Sequence, residues 1–98
     1  MSKINYSYDI ETDSLFIYVC EDYVYEMSVE FDACIIMDFD VNGCPRAVEL
    51  LSASKLFKID KSYFNNLNML KVNIFIDEDL IKLNVDLTVN NQEEIIEK

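Results

Sequence analysis

Histidine and tryptophan are absent from this chain of 98 residues, and glycine and proline each occur once. Without histidine the chain cannot build the Ser-His or Cys-His pairs of many nucleophilic enzymes, or a histidine-ligated metal site. A single glycine cannot form a glycine-rich loop that cradles phosphate. We therefore expect neither a cofactor nor an enzymatic activity. A carboxylate-based hydrolase is the least favoured function, because nineteen acidic residues form close pairs by chance.

Positive charge is scarce as well, with eight Lys and Arg residues against nineteen Asp and Glu residues and a net charge of −11. Residues 1–50 carry two basic and eleven acidic side chains, whereas residues 51–98 carry six and eight. An acidic surface repels phosphate backbones and anionic membranes. The composition thus argues against nucleic-acid and membrane binding. It leaves a basic protein partner, a cation or solubility alone as explanations of the charge.

The cysteines Cys20, Cys34 and Cys44 are odd in number and have no C-x-x-C spacing. This pattern predicts neither a disulfide framework nor a zinc site. The sequence shows no signal-peptide pattern and no apolar run long enough to cross a membrane. We expect a cytoplasmic protein with reduced thiols.

Apolar and polar residues alternate with a period of two along most of the chain, which predicts half-buried β-strands. The alternating segments are 4–8, 15–20, 25–32, 34–41, a strand that begins after Gly43, 70–76 and 81–89. Residues 51–68 break the alternation, and Asp60 is a suitable N-cap for a short helix there. The predicted fold is α+β but mainly β, with an antiparallel β-meander of about five strands, one or two short helices and a C-terminal two-strand hairpin.

One domain is expected over residues 1–98, because no linker or internal repeat interrupts the chain. Its predicted parts are an acidic β-meander, a short helical segment, a β-hairpin and a polar tail, at 1–50, 51–68, 69–89 and 90–98. The tail is expected to fray because it is polar.

The dipeptide Asn42-Gly43 is the strongest turn signal in the sequence. It predicts a two-residue type I′ hairpin, in which both central residues have positive φ. In that register Pro45 lies opposite Asp40, in a pair that needs no hydrogen bond from proline. Since proline cannot donate on its other side either, the fifth strand is expected to start at a sheet edge.

The third alternating segment separates an apolar from an acidic face. Its odd-numbered residues are predicted to join the core and its even-numbered residues to face water: Tyr25, Met27, Val29 and Phe31 against Glu26, Ser28, Glu30 and Asp32. In other segments, Phe16, Tyr18 and Ile36 fall opposite the predicted core. Either the chain's own helices cover these three side chains, or they form an interface with a partner or a second copy.

A non-catalytic protein-interaction domain is the favoured function. Its acidic face or a sheet edge would bind a basic partner, or a second copy in a homodimer. The candidate interaction residues are Phe16, Tyr18, Glu26, Glu30 and Ile36.

The segment from Asp38 to Glu49 matches the calcium-loop template D-x-[DN]-x-[DN]-G-x₅-E. Its flanks are typical of strands, whereas the calcium loop requires helices on both sides. The hairpin register nevertheless places Asp38, Asp40 and Glu49 on one face, where three carboxylates would bind a hard cation weakly. A weak divalent-cation-binding β-hairpin protein is therefore the alternative function, with these three residues as metal ligands.

Two stretches carry a family resemblance: I-N-Y-S-Y-D-I-E-T-D-S-L-F-I-Y-V at 4–19 and C-I-I-M-D-F-D-V-N-G-C-P-R-A-V-E-L-L-S-A-S-K-L-F at 34–57. Together they resemble the small prokaryotic family catalogued as domain of unknown function 2283, although that family has glycine where Ala33 and Ala47 stand. The resemblance implies the hairpin fold and no established activity. Some members look like neighbours of small toxin-like proteins, which implies at most an antitoxin-like, partner-binding role.

Overall fold

The computed structural model describes residues 5–19 and 22–98. Its elements are β1 (Asn5–Asp9), β2 (Ser14–Tyr18), β3 (Tyr25–Asp32), β4 (Ile35–Asp40), β5 (Pro45–Leu50), α1 (Ala53–Phe57), a 3₁₀ helix (Lys61–Asn65), β6 (Met69–Ile76), β7 (Ile81–Val89) and β8 (Gln92–Glu97). The predicted α+β, mainly β fold is confirmed. Ile4 and Cys20, which the sequence assigns to the first two strands, lie outside the described residues. No helix in the described ranges is long and apolar enough to cross a membrane.

Contacts concentrate in two compact units, Met1–Ala53 and Ser54–Lys98. The first unit holds β1 to β5 in one antiparallel sheet with the order β1-β2-β5-β4-β3, and the second holds a sheet with the order β6-β7-β8. The first sheet departs from a simple meander because β5 inserts between β2 and β4. That residues 1–98 form one domain remains a prediction.

The buried face of the first sheet consists of alternate residues on its three inner strands. Residues directly opposite one another on neighbouring strands share a face, and here Leu50 pairs with Leu15 and Ile35. In the next row Val48 pairs with Ile17 and Met37. All six side chains are at most 1% exposed. The alternation of β2 and β4 therefore identifies the core correctly.

Strand β3 departs from its predicted burial. Alternation predicts that Tyr25 and Met27 lie in the core, yet they are 54% and 51% exposed, and Val29 and Phe31 are only half-buried. For Met27 and Val29 the reason is topological, because among the described strands β3 pairs with β4 alone and lies at the sheet edge. Its register with β4 shifts between Tyr25 and Met27 and again between Glu30 and Asp32, so β3 is bulged near both ends.

The turn between β4 and β5 has three residues, 41–43. The amide of Asp40 donates to the Cys44 carbonyl at 2.9 Å, and the amide of Gly43 donates to the Asp40 carbonyl at 3.0 Å. Within this turn only Gly43 has positive φ, +81°. This is a type I turn closed by a glycine bulge, so the predicted type I′ turn at Asn42-Gly43 is wrong.

The placement of Pro45 differs from its prediction too. Pro45 lies opposite Phe39 rather than Asp40, because the register of β4 with β5 shifts between Asp38 and Phe39. Its strand, β5, is the central strand of the sheet and not an edge strand. The proline is tolerated there because the pairing of β5 with β2 begins at Ala47, two residues after it.

The segment between the two sheets contains the two predicted helical turns. Asp60 caps the 3₁₀ helix as predicted, and its carboxylate accepts a hydrogen bond from the Ser62 amide at 2.9 Å. The rings of Phe57 and Phe64 are buried, with centroids 6.1 Å apart and planes inclined by 58°. This aromatic pair packs in the tilted geometry that ring quadrupoles favour.

Strands β6 and β7 form the predicted C-terminal hairpin, and β8 adds a third strand. The predicted polar tail at 90–98 is therefore wrong. Val89 pairs with Gln92 around the two-residue loop Asn90-Asn91, whose φ values are +49° and +64°. Positive φ at both positions is the type I′ geometry. Ile96, 7% exposed, joins the buried face of this sheet and anchors the strand.

Candidate interaction face

The predicted interaction residues are mostly on the face of the first sheet opposite to its core. Two rows of directly opposed residues cross this face from β2 through β5 and β4 to β3. The rows are Phe16, Glu49, Ile36 and Glu30, and then Tyr18, Ala47, Asp38 and Ser28. We call these eight residues the acidic face.

The acidic face contains four of the five predicted interaction residues. Phe16, Tyr18 and Ile36 are half-buried and Glu30 is exposed. Glu26 is exposed as well, but it lies in the bulge of β3 outside the two rows. Apolar and acidic side chains thus alternate along the first row, where Phe16 and Ile36 flank a carboxylate.

That carboxylate, Glu49, is the electrostatic centre of the acidic face. Its side chain is half-buried, and Asp38 lies diagonally across from it on β4. Burial raises the pKa of Glu49 above its ordinary value, and the negative charge of Asp38 raises it further. The face therefore holds two like charges close together with one of them partly desolvated.

Asp38 is held in place by a short chain of hydrogen bonds. The Ser28 hydroxyl donates to Asp38 Oδ1 at 2.6 Å, and the Tyr25 hydroxyl lies 2.7 Å from the Ser28 hydroxyl oxygen. Since Ser28 has one hydroxyl proton and donates it to Asp38, Tyr25 is the donor to Ser28. Tyr25 reaches this face because the bulge after it reverses the alternation of β3. Sequence alternation alone predicts Tyr25 on the opposite face.

Asp40, the remaining predicted metal ligand, has a different role. Its Oδ1 accepts hydrogen bonds from the amides of Asn42 and Cys44 at 2.8 and 2.9 Å, and its Oδ2 accepts one from Arg46 Nε at 2.7 Å. The side chain is 4% exposed. Within residues 5–19 and 22–98, no three His, Cys, Asp or Glu side chains are placed to hold a metal ion.

Comparison with known proteins identifies the family of this chain. The sequence pattern of a family described as "Protein of unknown function (DUF2283)" matches residues 5–54. The chain belongs to the DUF2283 family. The matched region ends just after β5 and includes both rows of the acidic face. No solved structure shows significant similarity to the chain.

Two relatives extend over the second sheet as well. An uncharacterised protein of Methanocaldococcus jannaschii is 37% identical over 98 residues, covering 98% of this chain and 83% of the relative. A Methanosarcina mazei protein with the provisional name of a hypoxanthine phosphoribosyltransferase is 31% identical over 93 residues, covering 95% of this chain and 74% of the relative.

This DUF2283 protein has alanine at positions 33 and 47, where the family resemblance implies glycine. Ala33 lies in the turn between β3 and β4, where the Cys34 amide donates to Asp32 Oδ1 at 2.8 Å, and it does not have positive φ. Ala47 lies within β5, opposite Tyr18 and Asp38. Neither backbone position requires glycine in this chain.

Proposed function

We propose that this protein is a non-catalytic interaction domain of the cytoplasm whose acidic face binds a basic segment of a partner protein. The observation that carries the proposal is the pair formed by Asp38 and Glu49, two close carboxylates beside the apolar side chains of Phe16 and Ile36. A cationic side chain bound there would neutralise both carboxylates, and the apolar neighbours would contact its aliphatic stem.

The energetics of the pair favour this role over a purely structural one. Ionised Glu49 is disfavoured in the folded domain by burial and by the charge of Asp38. A Lys or Arg side chain between the two carboxylates would exchange that repulsion for charge-assisted hydrogen bonds. Residues that destabilise the isolated domain in this way are typical of sites whose partner arrives from outside.

An enzymatic role has less support. Hydrolysis by carboxylates needs two of them facing one substrate cleft, but a groove of about 410 Å³ on the second sheet contains only one, Glu97. The provisional name of the Methanosarcina relative implies transfer of a phosphoribosyl group. Binding a phosphate-bearing group needs backbone amides and cations, whereas the acidic face presents carboxylates.

Capture of the partner at two salt concentrations tests the proposal. The tagged full chain is compared with two double variants of equal charge, Asp38→Asn with Glu49→Gln and Glu78→Gln with Asp79→Asn, the latter pair lying in the β6–β7 turn. We expect a basic protein to be recovered by the wild type and by the turn variant at low salt, lost at high salt, and lost by the face variant. Equal recovery by both variants, salt-independent recovery, or recovery of no basic protein would overturn the proposal.

A further inference from the structure

We infer that β3 accepts one short strand of the partner along its open edge, with basic side chains beside Ser28 and Glu30 and apolar side chains beside Met27 and Val29. The inference rests on the proposed function and goes beyond it by naming the form of the partner segment and its side-chain pattern. Addition of a strand to a sheet edge is a recurrent way of binding an extended peptide, with backbone hydrogen bonds for affinity and alternate side chains for specificity.

The backbone of β3 is placed for such an addition. Among the described strands, β3 is hydrogen-bonded to β4 alone. The other side of an edge strand presents N–H and C=O groups that another chain can pair with. Protective devices such as proline or lysine do not occur between Tyr25 and Asp32. The strand is protected instead by its acidic residues and its bulges, which restrict partners without closing the edge.

The buried side of the sheet is incomplete at this edge. Side-chain exposure increases from β4 to the edge strand β3. Met37 on β4 is 1% exposed, whereas on β3 Val29 is half-buried and Met27 is 51% exposed. Apolar side chains on an added strand would lie directly beside Val29 and Met27 and remove their exposed surface from water. Burial of apolar area is the main favourable contribution to such an association.

On the acidic-face side of β3, the side chains favour positive charge on the added strand. Ser28 and Glu30 belong to the acidic face, and the bulged Glu26 is exposed two residues before Ser28. Opposite charges on directly opposed cross-strand residues stabilise pairing, and like charges there destabilise it. Lys or Arg side chains on the added strand would therefore lie beside Ser28 and Glu30, with the exposed Glu26 adding negative charge nearby, and the next acidic residue inward is Asp38.

The same residues argue against a second copy as the occupant. Antiparallel pairing of two β3 strands about Ser28 would bring Glu26 of each copy close to Glu30 of the other, and these like charges repel. The bulges near both ends leave only Met27–Glu30 with uninterrupted pairing to β4. The edge thus matches a short strand that alternates basic and apolar residues.

A synthetic peptide of that pattern, Ac-KVKVKVK-NH₂, is the probe, and the ¹⁵N-labelled full chain is the receptor. We expect saturable amide shifts centred on residues 27–30 and slower hydrogen exchange of the outward amides of β3. Backbone pairing protects those amides, whereas docking of side chains alone does not. Two controls use the same receptor: Ac-KSKSKSK-NH₂, which keeps the charge, and a fully N-methylated KVKVKVK, which keeps the side chains but cannot donate backbone hydrogen bonds.

Charge reversal tests the specificity. Glu26→Lys with Glu30→Lys should weaken binding of KVKVKVK roughly tenfold and create binding of Ac-EVEVEVE-NH₂, since the negative charges of this edge become positive. The matched control is Glu78→Lys with Asp79→Lys, which makes the same charge change in the β6–β7 turn. It should leave the peptide preference of the edge unchanged.

Several outcomes overturn the inference. Equal affinity of the N-methylated peptide, equal affinity of KSKSKSK, or absence of slowed exchange in β3 would each do so, and none depends on a variant folding correctly. A partner whose capture is lost with Asp38→Asn and Glu49→Gln but kept with Glu26→Lys and Glu30→Lys would overturn the edge site while retaining the proposed acidic-face function. Loss of that partner with both pairs of changes would support both.

Discussion

The carboxylate of Asp40 lies 2.7 Å from Arg46 Nε. It also accepts hydrogen bonds from the backbone amides of Asn42 and Cys44, so this one buried side chain stabilises both ends of the β4–β5 turn. Arg46 lies at the register shift of β5, which directs it toward Asp40 across the hairpin. The hydrogen bond from the Cys44 amide lowers the pKa of Asp40 most, and the hydrogen bond from Arg46 lowers it further. Asp40 is therefore a structural anchor of the candidate face and not one of its binding groups.

Replacing Asp40 by asparagine should destabilise the domain and remove part of its pH dependence. A carboxylate whose folded pKa is lowered stabilises the fold above its unfolded pKa, near 3.8, and this contribution is lost as pH falls through the folded pKa. We expect the urea midpoint of Asp40→Asn to lie below that of the wild type at pH 7 and to converge with it toward pH 3. Asp79→Asn, in the exposed β6–β7 turn, is the control for removal of one carboxylate charge.

The position of the β4–β5 turn can be predicted from the sequence, but its type cannot. Asn42-Gly43 marks the turn correctly, yet the type I′ turn occurs at Asn90-Asn91, where the sequence suggests only a polar tail. Tertiary contacts determine the type of each of these two turns. Asp40 and Arg46 stabilise a three-residue loop at the first turn, and the buried Ile96 holds β8 against β7 at the second.

Gly43→Ala should cost about 1 kcal/mol of unfolding free energy, the usual penalty for alanine in the left-handed region. The φ of Gly43 is +81°, and a Cβ added there would meet no atom within 4 Å, so only backbone strain contributes. Asn42→Ala is the matched control, because Asn42 does not have positive φ. Urea unfolding of both variants measures the difference. A loss of several kcal/mol for Gly43→Ala would contradict the open surroundings described for this residue.

Part of the candidate face is also predictable from alternation. The register that places Asp38 opposite Ala47 and diagonal to Glu49 is confirmed. The role of Tyr25 is not predictable, because the bulge after it changes its face, whereas the sequence alternates without interruption from Tyr25 to Asp32. Nor does alternation reveal that β3 lies at the edge, since its sequence differs little from that of an inner strand.

Glu49→Gln should stabilise the isolated domain at neutral pH while weakening capture of the partner. A carboxyl group whose folded pKa is raised contributes stability that is fully present below its unfolded pKa, near 4.5, and is lost as pH rises through the folded pKa. Glutamine does not ionise, so the variant should gain stability relative to the wild type as pH increases from 4 to 7. Thermal unfolding and partner capture are measured on the same samples. Parallel loss of stability and capture would indicate a structural role for Glu49.

The calcium hypothesis has a direct test in an amide-shift titration of the full chain with CaCl₂. We expect no saturable change confined to residues 38–49. Both oxygens of Asp40 already accept hydrogen bonds, and two carboxylates alone give a hard cation fewer ligands than the six to eight it takes. Sodium chloride at the same ionic strength separates binding from screening. A saturable response to calcium at these residues would instead support the cation-binding alternative.

In the second sheet, Glu93 and Asp86 form a carboxyl pair that should make the stability of the protein depend on pH. A hydrogen bond with Asp86, followed by the negative charge of Asp86, raises the pKa of Glu93, and Lys71 opposes this shift. The two acids lie on the adjacent strands β7 and β8, with Glu93 opposite Thr88 and Asp86 opposite Lys71. Since the folded pKa is raised, the stability from Glu93 is present below its unfolded pKa, near 4.5, and lost as pH rises through the folded value.

Glu93→Gln should therefore match the wild type near pH 4 and become more stable than it toward pH 7. Its amide keeps a donor for Asp86 and carries no charge to repel it. Urea midpoints across that pH range measure the difference, and Glu78→Gln in the exposed β6–β7 turn controls for removal of one negative charge. Since Glu93 lies at the start of β8, hydrogen exchange of the β8 amides should slow in the variant at neutral pH. A constant difference between the variant and the wild type at all pH values would exclude the raised pKa of Glu93 as the cause.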